Sequence, residues 1–114
     1  MGERRDEPKT WPPLSKKILE RVDRAWDALE DGDPEAAGME AEELMEETRE
    51  HPEVRFLFGA ALLESGDPAG ALEQLQQCRD LVEDPIILEY YLASTLFENH
   101  RFDESLELFR RVCA

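Results

Sequence analysis

Leu62-Leu63-Glu64-Ser65-Gly66-Asp67-Pro68-Ala69-Gly70-Ala71-Leu72 decides the fold. The same pattern stands 34 residues earlier as Ala28-Leu29-Glu30-Asp31-Gly32-Asp33-Pro34-Glu35-Ala36-Ala37. A weaker copy stands 34 residues later as Leu96-Phe97-Glu98-Asn99-His100-Arg101-Phe102-Asp103-Glu104-Ser105-Leu106. Each copy reads as an apolar helix end, a tight turn and a new helix start. Gly32 and Gly66 supply the left-handed backbone that ends a helix at low cost. Asp33 and Asp67 suit the cap of the next helix, and Pro34 and Pro68 its first turn. A fixed period across three copies marks an array of helix pairs.

Working outward from these turns gives six helices. The first is capped by Ser15, with Leu14 as a staple, and runs to Glu30 on the face Ile18, Val22, Ala25, Trp26 and Leu29. Lys17, Arg21 and Arg24 lie elsewhere on it, the polar outer face that the first helix of a stack requires. The second helix, Pro34 to about Glu50, turns Ala37, Ala41, Leu44, Met45 and Thr48 inward. Its acids Glu40, Glu42, Glu43, Glu46, Glu47 and Glu50 read as a solvated face rather than a cation site, because one helix cannot wrap a metal. The third, about Pro52 to Ser65, is apolar nearly all round and is therefore central. The fourth, about Pro68 to Glu83, carries Ala71, Leu75, Cys78 and Val82. Asp84 and Pro85 start the fifth, to about Glu98, and the sixth runs from Phe102 through Leu106, Phe109, Val112 and Cys113. Residues 1–13 form a flexible arm with Trp11 as its one anchoring or binding residue; residues 14–114 form the repeat domain, with copies near 18–51, 52–85 and 86–114.

Composition limits function. The chain of 114 residues has 41% hydrophobic residues, enough for one core despite 36% charged ones. The net charge of −15 is uneven: residues 1–24 hold seven basic and five acidic residues, the rest six and 23. Such a field repels nucleic acid and anionic membranes and favours a basic partner. No apolar run approaches the roughly 20 residues of a membrane span and no signal peptide opens the chain, so the expectation is a cytoplasmic protein. Cys78 and Cys113 form no CxxC pair, and Cys78 reads as a small core residue. His51 and His100 lack partners at catalytic or metal-binding spacing, and the glycines form no phosphate loop. The expectation is a non-enzyme with no metal or cofactor.

The 34-residue period, the helix pair per period and particular small residues together resemble the tetratricopeptide repeat family. Gly59 stands at its small position in a first helix, Ala71 at the one opening a second helix, Cys78 at a later small position, and Pro85 near the closing proline. Leu62 and Leu75 replace frequent aromatics. Ala25 and Ala93 are the equivalents of Gly59 in the other copies, Ala37 and Ser105 those of Ala71, and Ala41 and Phe109 those of Leu75. The resemblance covers about residues 18–114 and implies an all-α right-handed superhelix of three repeats. The first helices of the pairs would line a concave groove that holds a peptide or helix of another protein. Mapped onto this chain, the groove comprises Val22, Trp26, Leu29, Glu30, Phe56, Ala60, Leu63, Glu64, Ile87, Tyr90, Phe97 and Glu98, together with Leu19 and Ser94. One version of the family clamps acidic chaperone tails with basic residues; the matching positions here are Val22, Trp26, Leu57, Ile87 and Tyr91, none of which binds a carboxylate. An apolar floor edged by Glu30, Glu64 and Glu98 instead suits a basic or amphipathic segment. Leu106, Val112 and Cys113 have no following repeat to cover them, which leaves open a further repeat or a homodimer face. A self-assembling scaffold element and a small secretion-type chaperone for an apolar client are the alternative functions.

Overall fold

A computed structural model describes residues 11–114. Its helices are α1 (Lys16–Glu30), α2 (Pro34–Glu47), α3 (Pro52–Glu64), α4 (Pro68–Cys78), α5 (Pro85–Glu98) and α6 (Phe102–Val112). Each packs against its neighbours in sequence, and α3 also touches α1 and α5. The repeat proteins' stacking of helix pairs is the result.

The turns between paired helices are built three times over. After α1, Gly32 N–H bonds to Leu29 O (3.1 Å) and Asp33 N–H to Ala28 O (2.8 Å). After α3, Gly66 N–H bonds to Leu63 O (3.1 Å) and Asp67 N–H to Leu62 O (2.9 Å). After α5, His100 N–H bonds to Phe97 O (3.0 Å) and Arg101 N–H to Leu96 O (2.9 Å). These paired bonds satisfy carbonyls that a helix end otherwise leaves orphaned, and they need a left-handed residue at the turn. Gly32 (φ 81°) and Gly66 (φ 89°) take that conformation freely, whereas His100 (φ 62°) takes it with a side chain. Asp33 and Asp67 then accept from Ala36 N–H (3.2 Å) and Gly70 N–H (3.0 Å), as cap residues should. Arg101, the third equivalent, makes no side-chain cap.

Two helices stop earlier than their patterns suggest. α2 ends at Glu47 because Arg49 (φ 54°) and Glu50 (φ 61°) turn left-handed and Glu50 N–H bonds back to Met45 O at 2.7 Å. α4 ends at Cys78 rather than near Glu83. There the chain leaves helical geometry to dock elsewhere: Glu83 N–H donates to Glu53 Oε2 (2.8 Å), and Arg79 pairs with Glu89 (3.6 Å). Val82 still packs on the core from this turn.

The core has two parts. Val22, Ala25, Ala37, Ala41, Leu44, Met45, Val54, Leu57 and Ala61 fill the first half, and Phe56, Leu75, Cys78, Leu88, Leu92, Ala93, Leu96 and Leu108 the second. Trp26 packs against both and joins them. Gly59 lets α3 and α4 approach: a Cβ there would lie 2.8 Å from Leu75 Cδ2. In the third repeat Ser105 replaces the small apolar residue, and its buried hydroxyl donates to Ala93 O at 2.7 Å, so no orphaned polar group results.

Candidate protein-interaction groove

The first helices of the three pairs bring an aromatic floor together. Trp26 of α1 and Phe56 of α3 meet edge to face with ring centres 5.2 Å apart. Tyr91 of α5 completes the group, 5.7 Å from Phe56 and 6.0 Å from Trp26. Such tilted and edge-on geometries are the favoured ones between aromatic rings. Phe56 is buried, while Trp26 and Tyr91 are half-buried, so the latter two present surface.

Glu30, Glu64 and Glu98 are the final residues of α1, α3 and α5, and all three are exposed. Burial raises the Tyr91 phenol above its usual value, and the negative charges of Glu64 and Glu30 raise it further. Two of the three carboxylates thus act electrostatically on the floor's central hydroxyl.

The other expected groove residues divide into three groups. Val22 and Ala60 are buried beneath the surface and support the floor. Leu29 and Leu63 are half-buried beside the carboxylates that follow them. Ile87, Tyr90 and Phe97 are exposed, but Tyr90 and Phe97 turn to α6: Tyr90 lies 5.8 Å from Phe109 and Phe97 lies 5.2 Å from Phe102. The structure thus gathers Trp26 and Phe56 with Tyr91, while Tyr90, edge-on to Tyr91 at 6.4 Å, bridges from this group to Phe109 of α6.

Next to Trp26 a cavity of about 400 Å³ opens between Pro13, Leu14, Leu19, Val22, Asp23, His51, Glu53 and Glu83. Its walls combine apolar side chains with carboxylates from three elements. Burial raises the Glu53 carboxyl, and neighbouring Glu83 and Asp84 add to the rise, although the bond from Glu83 N–H opposes it. Burial likewise lowers the His51 imidazole, with Glu83 pulling the other way. His51 Nδ1 accepts from Glu53 N–H (3.1 Å) to cap α3, a bond only the neutral ring makes. Glu53, Glu83 and His51 sit at helix boundaries, so no periodic pattern in the sequence marks them.

Two arginines also depart from expectation. Arg21 does not stand in solvent on the outer side of α1; it binds Glu40 (2.6 Å), Glu47 (2.8 Å) and Glu43 (3.6 Å) across to α2. Its hydrogen bonds to the Glu40 and Glu47 carboxylates raise its pKa. Part of the acidic face of α2 is therefore a clamp on α1. Arg55, in the apolar run of α3, is buried and bonds to Gln74 Oε1 (2.6 Å) and Glu50 (3.2 Å). It borders a second cavity of about 720 Å³ with Trp11, Arg49, Gln77 and Cys78. Trp11 reaches this place by donating its indole N–H to Arg49 O (2.9 Å), which anchors the end of the arm; the arm's residues 1–10 lie outside the described ones.

Burial pushes the Cys78 thiol up to about 12, as a structural thiol rather than a nucleophile requires. Among the described residues no cluster of His, Cys, Asp and Glu is placed to hold a metal ion, and no helix is long and apolar enough to cross a membrane.

The family described as tetratricopeptide repeat matches residues 28–85, half of the chain and both of its best-formed turns. The chain belongs to the tetratricopeptide repeat family. No match was found among curated proteins. Membership accounts for the six helices, and the lack of strands, among the described residues and places the chain among repeats that mediate protein–protein contacts. The family is typically a non-catalytic interaction module. In this tetratricopeptide repeat protein the matched region holds Leu29, Glu30 and the whole of α3, whereas Trp26 and Tyr91 of the floor lie outside it.

Proposed function

We propose that this tetratricopeptide repeat protein holds a basic, amphipathic segment of another protein on the face formed by α1, α3 and α5. The observation that carries this reading is the joint placement of the Trp26–Phe56–Tyr91 floor with Glu30 and Glu64. Apolar residues of the segment would rest on Trp26, Tyr91 and Leu63. Its Lys or Arg residues would face Glu30 and Glu64 on one side and the Asp23–Glu53–Glu83 cavity on the other. Arginine suits the floor best, because its planar guanidinium stacks on rings and forks onto carboxylates. A nucleic acid or anionic membrane meets only repulsion from these groups.

A peptide-display selection against the purified protein tests the reading. Enriched sequences should carry Lys or Arg between apolar residues at helical or alternating spacing. The double variant Glu30→Lys and Glu64→Lys should reduce affinity for a selected peptide at least about ten-fold, since opposite charges become like ones. Leu63→Lys should weaken it through the floor. Selection of acidic peptides, or unchanged binding by these variants with their helical content intact, would reject the groove.

A further inference from the structure

A repeat array shows, within itself, what each of its faces requires. Phe56 and Leu75 are buried in the second core, with Leu72 partly buried beside them, and α5 packs over this side of α4. Arg79, just past the end of α4, reaches Glu89 of α5 (3.6 Å), and Asn99, capping α5, donates to Pro68 O (2.8 Å). Moving 34 residues along the chain gives Tyr90, Phe109 and Leu106. Tyr90 and Leu106 are 52% and 50% exposed, against 6% for Phe56, and Phe109 is only partly buried. The α5–α6 side therefore repeats the helix-binding surface of α3 and α4, here exposed.

The pattern of α6 says which helix fits. Phe102, Leu106, Phe109 and Cys113 follow each other at intervals of four, three and four residues, the spacing of a coiled-coil seam. Ser105 and Leu108 are buried against the rest of the fold, which turns this stripe outward. Asp103 and Arg110 stand seven residues apart, two turns, on the same flank of the stripe. Asp103, Leu106 and Arg110 are exposed, and Glu104 is already held by Arg101 (2.7 Å). In an antiparallel pair of identical helices the same flanks meet, so Asp103 of each copy lies opposite Arg110 of the other, twice. A parallel pair sets that flank against the side carrying Ser105 and Val112 and forms neither ion pair. Head-to-tail stacking fails for a separate reason: α1 carries exposed Glu20 and Arg24, 68 residues before Leu88 and Leu92, where α5 is apolar.

We propose that the α5–α6 face is a two-fold interface between copies of this chain, centred on an antiparallel α6–α6 pair with reciprocal Asp103–Arg110 contacts. Tyr90, which lies against Phe109, extends the seam onto α5. The interface adjoins the groove on α5, where Tyr90 lies 6.4 Å from Tyr91, and leaves two grooves per dimer, one on each copy. Two linked grooves would strengthen capture of a partner with repeated basic segments.

Sedimentation of the reduced 114-residue chain, from low micromolar to near-millimolar concentration, tests this. The wild type should pass from monomer to dimer and no further. Leu106→Glu should remain monomeric with unchanged helical content, because that side chain is half exposed. Asp103→Arg and Arg110→Asp should each weaken the dimer at least about ten-fold by placing like charges in contact. An equimolar mixture of these two variants should recover a heterodimer, because every contact is again between opposite charges. A wild type that stays monomeric overturns the proposal and assigns the face to a following helix or another protein. A dimer that survives Leu106→Glu, or a mixture that fails to recover, overturns it as well.

Discussion

The second and third repeats share a backbone plan but differ in what that plan covers. In the second, Leu75 is fully buried within the second core; in the third, its counterpart Phe109 is only partly buried. The second turns at Gly66 and caps with Asp67, whereas the third turns at His100 and starts α6 without a side-chain cap. The sequence pattern weakens where the packing thins. In a stack each repeat depends on its neighbours, so the ending repeat is where less stability and more contact-forming surface coincide.

Paired substitutions sharpen this contrast. The largest expected effect is at the enclosed position: Leu75→Ala should destabilise the fold by about 2–5 kcal/mol in urea unfolding, whereas Phe109→Ala should lose distinctly less for a larger side chain. Equal losses would mean that the two repeats are covered alike. A smaller effect of opposite sign is expected at the third turn. His100→Gly should stabilise by about 1 kcal/mol, because glycine adopts the positive φ without the side-chain penalty. The smallest perturbation is chemical labelling. In the native protein a thiol reagent should modify exposed Cys113 quickly and leave Cys78 unreacted, its thiol buried and pushed up to about 12; denaturation should expose both. Prompt labelling of Cys78 would show that the second core opens more readily than its packing implies.

Most of the architecture was legible because it depends on local chemistry. Gly-Asp-Pro turns, Asp caps and the 34-residue spacing specify where helices end and begin, and the helices α1, α3, α5 and α6 lie close to the bounds these signals give. The ends of α2 and α4 were less legible. Arg49 is no usual left-handed residue, and residues 79–83 contain no glycine or proline to announce a break; tertiary bonds from Glu53 and Glu89 hold that turn. Of the proposed groove, the repeat spacing brought out Trp26, Phe56 and the Glu30–Glu64–Glu98 row, and the first two do meet. Its details depend on which helices meet. Tyr91 rather than Tyr90 joins Trp26 and Phe56 because a one-residue step on α5 rotates the side chain by about 100°, and no periodicity of a single helix shows which of two adjacent tyrosines faces inward. Arg21 read as part of the polar outer face of α1, and the reading of α3 as apolar nearly all round passed over Arg55. Their partners Glu40, Glu47 and Gln74 lie on the next helix, 19 to 26 residues away.

The acidic character of the chain likewise divides once the contacts are known. Glu40, Glu43 and Glu47 are engaged by Arg21 and hold α1 to α2. Glu30 and Glu64 stand exposed beside an aromatic floor, where their charge is available to a partner. Net charge alone made no distinction between these two uses.

The most direct test of the groove is to map a selected basic peptide onto the protein by amide and indole NMR shifts. The account predicts that the perturbed signals lie along α1, α3 and α5, led by the Trp26 indole N–H and residues around Glu30, Glu64 and Tyr91. Signals concentrated instead on α2 and α4, with the Trp26 indole unmoved, would contradict it.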